Sequence, residues 1–380
     1  MSENRKKLSK NNFVELLRFV LCLVIFVHHS GMLRPSDVQL FPLGALCADI
    51  FFVLTGYFTI LHVIRQPQDG EAHRKPFLYA IKYTYNKLAR VFPYSLSGTM
   101  IAYAIEILMR RLSGQGIGPV SRLLSDFYNL FLEIFYLGLT GLVKLDQSLS
   151  NLRNAPMWYL SALMFALPAV VWLGLRFSRK IAVPLFIGIP LVIWYILISN
   201  FSSITPWGSF IWGINVGILR GLADIMIGGT LCFAVDWFKR MQDEKETGIQ
   251  PNIILTVLEF ALYSLLFYDT VVVHFGYRQI LPFYLFAAGL FFTFSGLSYT
   301  SLFQSRLAVH LGSISMPIYC VHWGIYKWVA NLKPIFEDRY HITVNYRAAI
   351  LLSFVLSFIC AEILLYLINY LTARKKRKTS

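Results

Sequence analysis

Apolar runs of about twenty residues recur along this chain, the length at which a helix crosses about 30 Å of hydrocarbon. Charge is scarce to match: 14% of the 380 residues are charged and 56% are hydrophobic, where a soluble domain carries about 25% charge. A water-soluble fold would have to hide all of these runs from solvent. The chain therefore reads as all-α, a polytopic transmembrane bundle of about ten spans. They are predicted over residues 13–33, 43–64, 88–109, 157–175, 181–199, 211–236, 252–274, 279–300, 309–331 and 346–372.

Lys and Arg gather between alternate spans and at both ends. They occur at Arg5 to Lys10, Arg65 to Arg90, Arg176 to Lys180, Lys239 to Lys245, Arg306 and Arg374 to Lys378. By the positive-inside rule, these segments and both termini face the cytoplasm. Topology thus accounts for the formal charge of +15 better than nucleic-acid binding would. One stretch resists. Residues 110–156 fall outside, yet hold Arg110, Arg111, Arg122, Lys144 and Arg153. An apolar helical pattern there, Leu123 to Leu142, is broken by Asp126 and Glu133. It is expected to lie on the outer surface or to re-enter among the other helices.

The five cysteines, Cys22, Cys47, Cys232, Cys320 and Cys360, sit inside apolar runs. An odd count with none in an outer loop implies no disulfide framework. The first run lacks a small-residue cleavage site, so it reads as a retained helix and not a signal peptide. With no internal repeat, residues 1–380 read as a single integral membrane domain. A bundle over 11–372 is flanked by basic cytoplasmic tails at 1–10 and 373–380.

Ionisable groups inside a bilayer are costly and mark function by default. Glu15 and Arg18 are three apart and can pair. Arg18 and His29 are eleven apart, so they share a helix face about 16 Å apart along the axis. His28 points about 80° away. Asp49 lies near the outer end of the second span, where a carboxylate could fix the tautomer of His29; the plainer alternative leaves it in the headgroup zone. Thr55 and Gly56 form a small pair that lets another helix approach. Lys87 and Arg90, with Lys82, Arg74 and Lys75 nearby, suit phosphates, or serve only as a positive-inside flank. Trp158 and Tyr159 fit an aromatic belt or a sugar-stacking platform. Ser315, Tyr319 and His322 form a polar stripe on one helix face, and Arg220 and Asp224 can pair at four apart. No metal-ligand spacing is present, and no Gly-rich phosphate loop.

Taken in order, these segments resemble the acyltransferase 3 family of integral membrane O-acyltransferases. The resemblance rests on Glu15-x-x-Arg18 with His29, and on Asp49-x-Phe-Phe-x-x-Thr-Gly-Tyr57. It extends to Lys87-x-x-Arg90-x-x-Pro93-Tyr94, Asn154 with Trp158-Tyr-Leu, and Arg220-Gly with Gly228. Leu311-Gly-x-x-Ser315-x-x-Ile-Tyr319-x-x-His322 completes it. It covers nearly the whole chain and implies transfer of an acyl group to a carbohydrate or lipid-linked hydroxyl at the cell envelope. The donor is usually acetyl-CoA, or another acyl-CoA. Arg18 and His29 match a pair thought essential in the family, and Lys87 with Arg90 matches its paired basic motif. Lys87 stands where Arg is commoner. Trp158 is followed by Tyr-Leu-Ser-Ala where many relatives carry Ser-Leu-x-Val-Glu. The fused extracytoplasmic domain of longer relatives is not expected here.

The expected mechanism holds the phosphorylated end of the donor at Arg18, Lys82, Lys87 and Arg90. An extended pantetheine arm then spans the rise to His29. His29 acts as general base or transient acyl carrier, and Asp49 orients it. Glu15, Trp158, Arg220, Tyr319 and His322 are candidates for binding substrate or stabilising an oxyanion. The setting is a plasma membrane, bacterial by its envelope substrate. No metal and no nucleic acid are expected. A proton-coupled transporter is the competing class, since buried His, Arg and Asp also suit a proton relay. A non-catalytic assembly subunit would leave those charges unexplained.

Overall fold

The computed structural model describes residues 11–112, 120–142, 152–246, 248–272, 276–341 and 343–379. The basic cluster Arg5 to Lys10 and Lys144 lie outside them, as do the side chains of the basic tail from 375 onward. In chain order the helices are α1 (Asn12–His28), α2 (Leu46–Val63), α3 (Glu71–Arg74), α4 (Pro76–Leu112), α5 (Val120–Ile134) and α6 (Trp158–Arg176). They continue with α7 (Arg179–Phe201), α8 (Val216–Glu244), α9 (Ile253–Val271), α10 (Ile280–Ser295), α11 (Arg306–Tyr340) and α12 (Tyr346–Thr379). The fold is an all-α polytopic bundle. Its only described strands are a short hairpin, β1 (Phe210–Ile211) with β2 (Ile214–Asn215).

A long helix stands at each of the ten predicted spans. Eight have the length and apolar composition to cross a membrane unaided. The others are α10, at 16 residues, and α11, which carries the polar stripe. Two helices act as hubs. α8 packs against α2, α6 and α7, and α11 against α1, α4 and α12. Small residues set the closest approaches, because packing between helices in lipid relies on contact and not on exclusion of water. A Cβ on Gly56 of α2 would run into the backbone carbonyl of Ile225 in α8, and one on Gly228 of α8 into that of Val53 in α2. The Thr55-Gly56 expectation is met at this contact. All five cysteines are free thiols, four of them buried.

Three boundaries differ from the sequence reading. α4 begins at Pro76, so Lys82 and Lys87 lie on a continuous helix and not in a loop. Residues 210–215 form the hairpin because Trp212 and Gly213 adopt positive φ at its turn, as a two-residue hairpin requires. α8 runs on to Glu244, beyond the predicted end of its span at residue 236.

The awkward stretch 110–156 is resolved by α5. Its 15 residues span about 22 Å, too short to cross. Leu124 and Phe127 are exposed on its apolar face, while Asp126 on the other face joins an ion network. Arg110 pairs with Glu106 and Asp126, each at 2.6 Å. Arg153 pairs with the same two carboxylates, at 2.5 and 2.7 Å. Two of the cations that broke the charge pattern are therefore neutralised locally. The segment packs against α4 and is too short to cross on its own.

Candidate active site

α1 starts at Asn11, whose side chain caps the backbone N–H of Val14. The cap places Glu15 in the first turn, where the helix dipole favours an acid. Glu15 then holds Arg18 at 3.1 Å. Glu15 is buried because Gly312 of α11 leaves room for it: a Cβ there would collide with its carboxylate.

Arg18 stands where two voids meet. The larger, about 730 Å³, opens among the start of α1, the ends of α2, α8 and α10, and the segment before α11. Its polar wall includes Glu15, Arg18, Arg65, Asp236, Lys239 and Arg240. The smaller, about 20 Å³, continues from Arg18 between Ile25, Ala48, Phe51, Tyr159, Ser315, Met316 and Tyr319. That is room for about one water molecule. The open passage expected between Arg18 and His29 is thus reduced to a slit that ends at Tyr319.

Above the slit the polar stripe of α11 faces inward, with Ser315, Tyr319 and His322 all buried. His322 Nδ1 lies 2.8 Å from the carbonyl oxygen of Tyr319, and a carbonyl can only accept. His322 therefore carries its proton on Nδ1, and its Nε2 is left as an acceptor. That Nε2 is 2.9 Å from His29 Nδ1, so neutral His29 must donate from Nδ1. Its Nε2 then bears a free lone pair and makes no hydrogen bond to any described residue. The two rings lie nearly parallel, 5.2 Å apart, and the Trp323 indole meets His29 edge-on at 5.5 Å. His28 turns away and bonds the carbonyl of Phe41 at 2.8 Å.

Between residues 11 and 366 the sequence matches the family model described as an acyltransferase domain, that of acyltransferase 3. The chain belongs to the acyltransferase 3 family. No curated protein matches it, and no solved structure does.

In this multi-pass membrane acyltransferase several sequence-predicted residues occupy other roles than expected. Asp49 does not orient His29. It holds Arg220, through Nε at 2.5 Å and Nη2 at 3.0 Å, because α2 and α8 are in tight contact. Arg220 consequently does not pair with Asp224. Two more of its donors go to the carbonyls of Thr205 at 2.5 Å and Ala45 at 2.9 Å, so four of its five N–H groups are committed to structure. Trp158 is neither a lipid-facing belt residue nor a sugar platform. It is buried, stacked on Trp207 at 5.7 Å and set against the Arg220 guanidinium at 5.1 Å. The Tyr319 hydroxyl donates to the carbonyl of Pro156 at 2.5 Å. Lys87 is within electrostatic range of Arg18 and Arg90, but Lys82, Lys87 and Arg90 do not line the large cavity.

Sequence reasoning missed Glu133 and the cavity cations. Glu133 accepts from the backbone N–H groups of Arg153 at 2.6 Å and Asn154 at 3.0 Å, and from Tyr103. The side-chain amide of Asn154 in turn donates to Cys320 of α11 at 3.0 Å. Glu133 thereby fixes the entry to α6, including the Pro156 carbonyl that holds Tyr319. An acid breaking an apolar helical pattern was its only sequence signal. Arg65, Lys239 and Arg240 were noticed only as positive-inside residues.

Proposed function

We propose that the protein transfers an acetyl group from acetyl-CoA to a hydroxyl of an envelope carbohydrate or lipid-linked glycan, with His29 as general base. The observation that carries this reading is the hydrogen-bond order Tyr319 carbonyl, His322, His29, which leaves the His29 Nε2 lone pair available. As the acceptor oxygen attacks the thioester carbonyl, its proton passes to His29 Nε2. A C–O bond forms and the C–S bond breaks, and the Nε2 proton goes to the departing thiolate. Both histidines thus return to their starting tautomers. His322 stabilises the imidazolium by accepting from Nδ1 throughout.

The donor enters from the 730 Å³ cavity, its thioester end pointing past Arg18. The slit beyond is narrower than a pantetheine chain, so Phe51 and Met316 on its wall must swing aside for the arm to reach His29. Acetyl is the acyl group that such a slit accommodates with least displacement. The Arg220–Asp49 pair, fixed by four hydrogen bonds of the guanidinium, favours this reading over a transporter whose buried charges must exchange protons.

The test is His29→Ala in a strain lacking the native copy, with envelope glycans read by mass spectrometry. Loss of general base catalysis lowers the rate by about 10²–10⁴-fold, so the acetyl-bearing species should vanish at unchanged protein level. Persistent acetylation in that variant would overturn the assignment.

A further inference from the structure

We propose that Arg65 and Lys239, rather than Lys82 and Arg90, bind the phosphates of the acyl donor's nucleotide end. The ligand class is a 3′-phosphorylated adenosine diphosphate moiety, and the proposal rests on the acyl-CoA reading above. Arg65 follows α2 and Lys239 lies near the end of α8, and both line the large cavity. Each is within electrostatic range of the other. Asp236, the one acid on this wall besides Glu15, is already held by Arg179 at 2.5 Å and by Arg240 at 2.9 Å. Glu15 is held by Arg18. Arg65 and Lys239 are left facing one void with no carboxylate at ion-pair distance among the described residues. Asp236 and Asp243 act on Lys239 only from beyond ion-pair distance, and the two like charges still repel, a cost that a polyanion in the void removes.

The rest of the wall fits a nucleotide. Asn11, Ser301 and Gln304 offer hydrogen-bonding groups, and Tyr57 lies flat on Phe294 at 3.8 Å, giving an aromatic edge beside the cations. The volume is within the range of about 300–1,000 Å³ usual for ligand sites. Arg18 lies at the deep end, so a ligand whose phosphates rest on Arg65 and Lys239 directs its pantetheine arm towards the slit. Lys82 and Arg90 are exposed on α4 and border none of this space.

The test measures binding of coenzyme A, dephospho-coenzyme A and pantetheine to the full chain in nanodiscs by calorimetry. Arg65→Ala with Lys239→Ala should weaken coenzyme A binding at least about tenfold and leave pantetheine binding unchanged. Arg65→Lys with Lys239→Arg keeps both charges and should bind coenzyme A more tightly than the double Ala variant, showing that charge and not folding is read. Lys82→Ala with Arg90→Ala should bind like wild type. If the Lys82/Arg90 variant loses affinity and the Arg65/Lys239 variant does not, the site is misplaced while the donor class stands. If wild type binds no coenzyme A, the acyl-CoA reading itself fails.

Discussion

His322 accepts a hydrogen bond from His29 across 2.9 Å, and its own Nδ1 proton is committed to the Tyr319 carbonyl. Two helices almost three hundred residues apart in sequence thus settle which nitrogen of His29 is basic. The proton assignment follows from the acceptor-only carbonyl at the end of the chain.

His322 is accordingly a positioning residue. Replacing it with Ala should lower kcat by about 10- to 100-fold, the usual cost of losing an outer-shell partner, with little change in KM. His322→Gln offers an amide oxygen that can accept from His29 Nδ1 and should recover part of the loss. If the Ala variant changes KM alone, or if Gln rescues nothing, the tautomer argument does not hold.

Asp49 and Arg220 lead to a different expectation. Both are 1% exposed, and removing one partner leaves an uncompensated charge in the bundle. Asp49→Ala should destabilise the protein by about 3–5 kcal/mol, seen as loss of folded protein in detergent. Asp49→Leu combined with Arg220→Met removes both charges and should recover most of the stability. A catalytic Asp49 would behave otherwise, with normal folding and no turnover.

How far these arrangements could be read from the sequence depends on the range of the interaction. The ten apolar runs, the inward stripe of Ser315, Tyr319 and His322, and the Glu15–Arg18 pair follow from helical periodicity, which is local. Partners across helices do not. Arg220 looked towards Asp224 four residues on, but the tight α2–α8 contact at Gly56 and Gly228 supplies Asp49 instead. Arg65 and Lys239 were hidden for another reason. The positive-inside rule already explained them, so nothing marked them as lining a cavity. The Phe210 to Asn215 hairpin shows a third limit: a short apolar run gives no period that separates strand from helix.

The slit at Ala48 invites a direct test of the route. Ala48 lines it opposite the polar stripe, and a leucine there would fill a space that holds about one water. Ala48→Leu should reduce kcat by about tenfold or more, equivalent to about 1.4 kcal/mol of barrier. Coenzyme A should still bind, because the large cavity is untouched. Full activity in this variant would mean that the thioester reaches its acceptor by another way.

Glu133 predicts a pH dependence of stability on the far side of the molecule. Burial pushes its carboxyl up from 4.5 to about 7, against the backbone N–H groups of Arg153 and Asn154 that bond it. Between those values the folded protein keeps a proton that the unfolded chain has released. Stability must then fall as pH rises through that window, since the native state binds more protons than the unfolded one. Below about 4.5 both states are protonated, and above about 7 both are ionised, so the loss is confined to the interval. Glu133→Gln removes the titration and keeps an oxygen for Arg153 and Tyr103, at the cost of the Asn154 N–H bond, a loss that does not depend on pH. Its Tm should stay level across the interval where that of wild type declines. A wild-type Tm that climbs with pH there, or a Gln variant with the same slope, would mean that Glu133 is ionised in the folded protein.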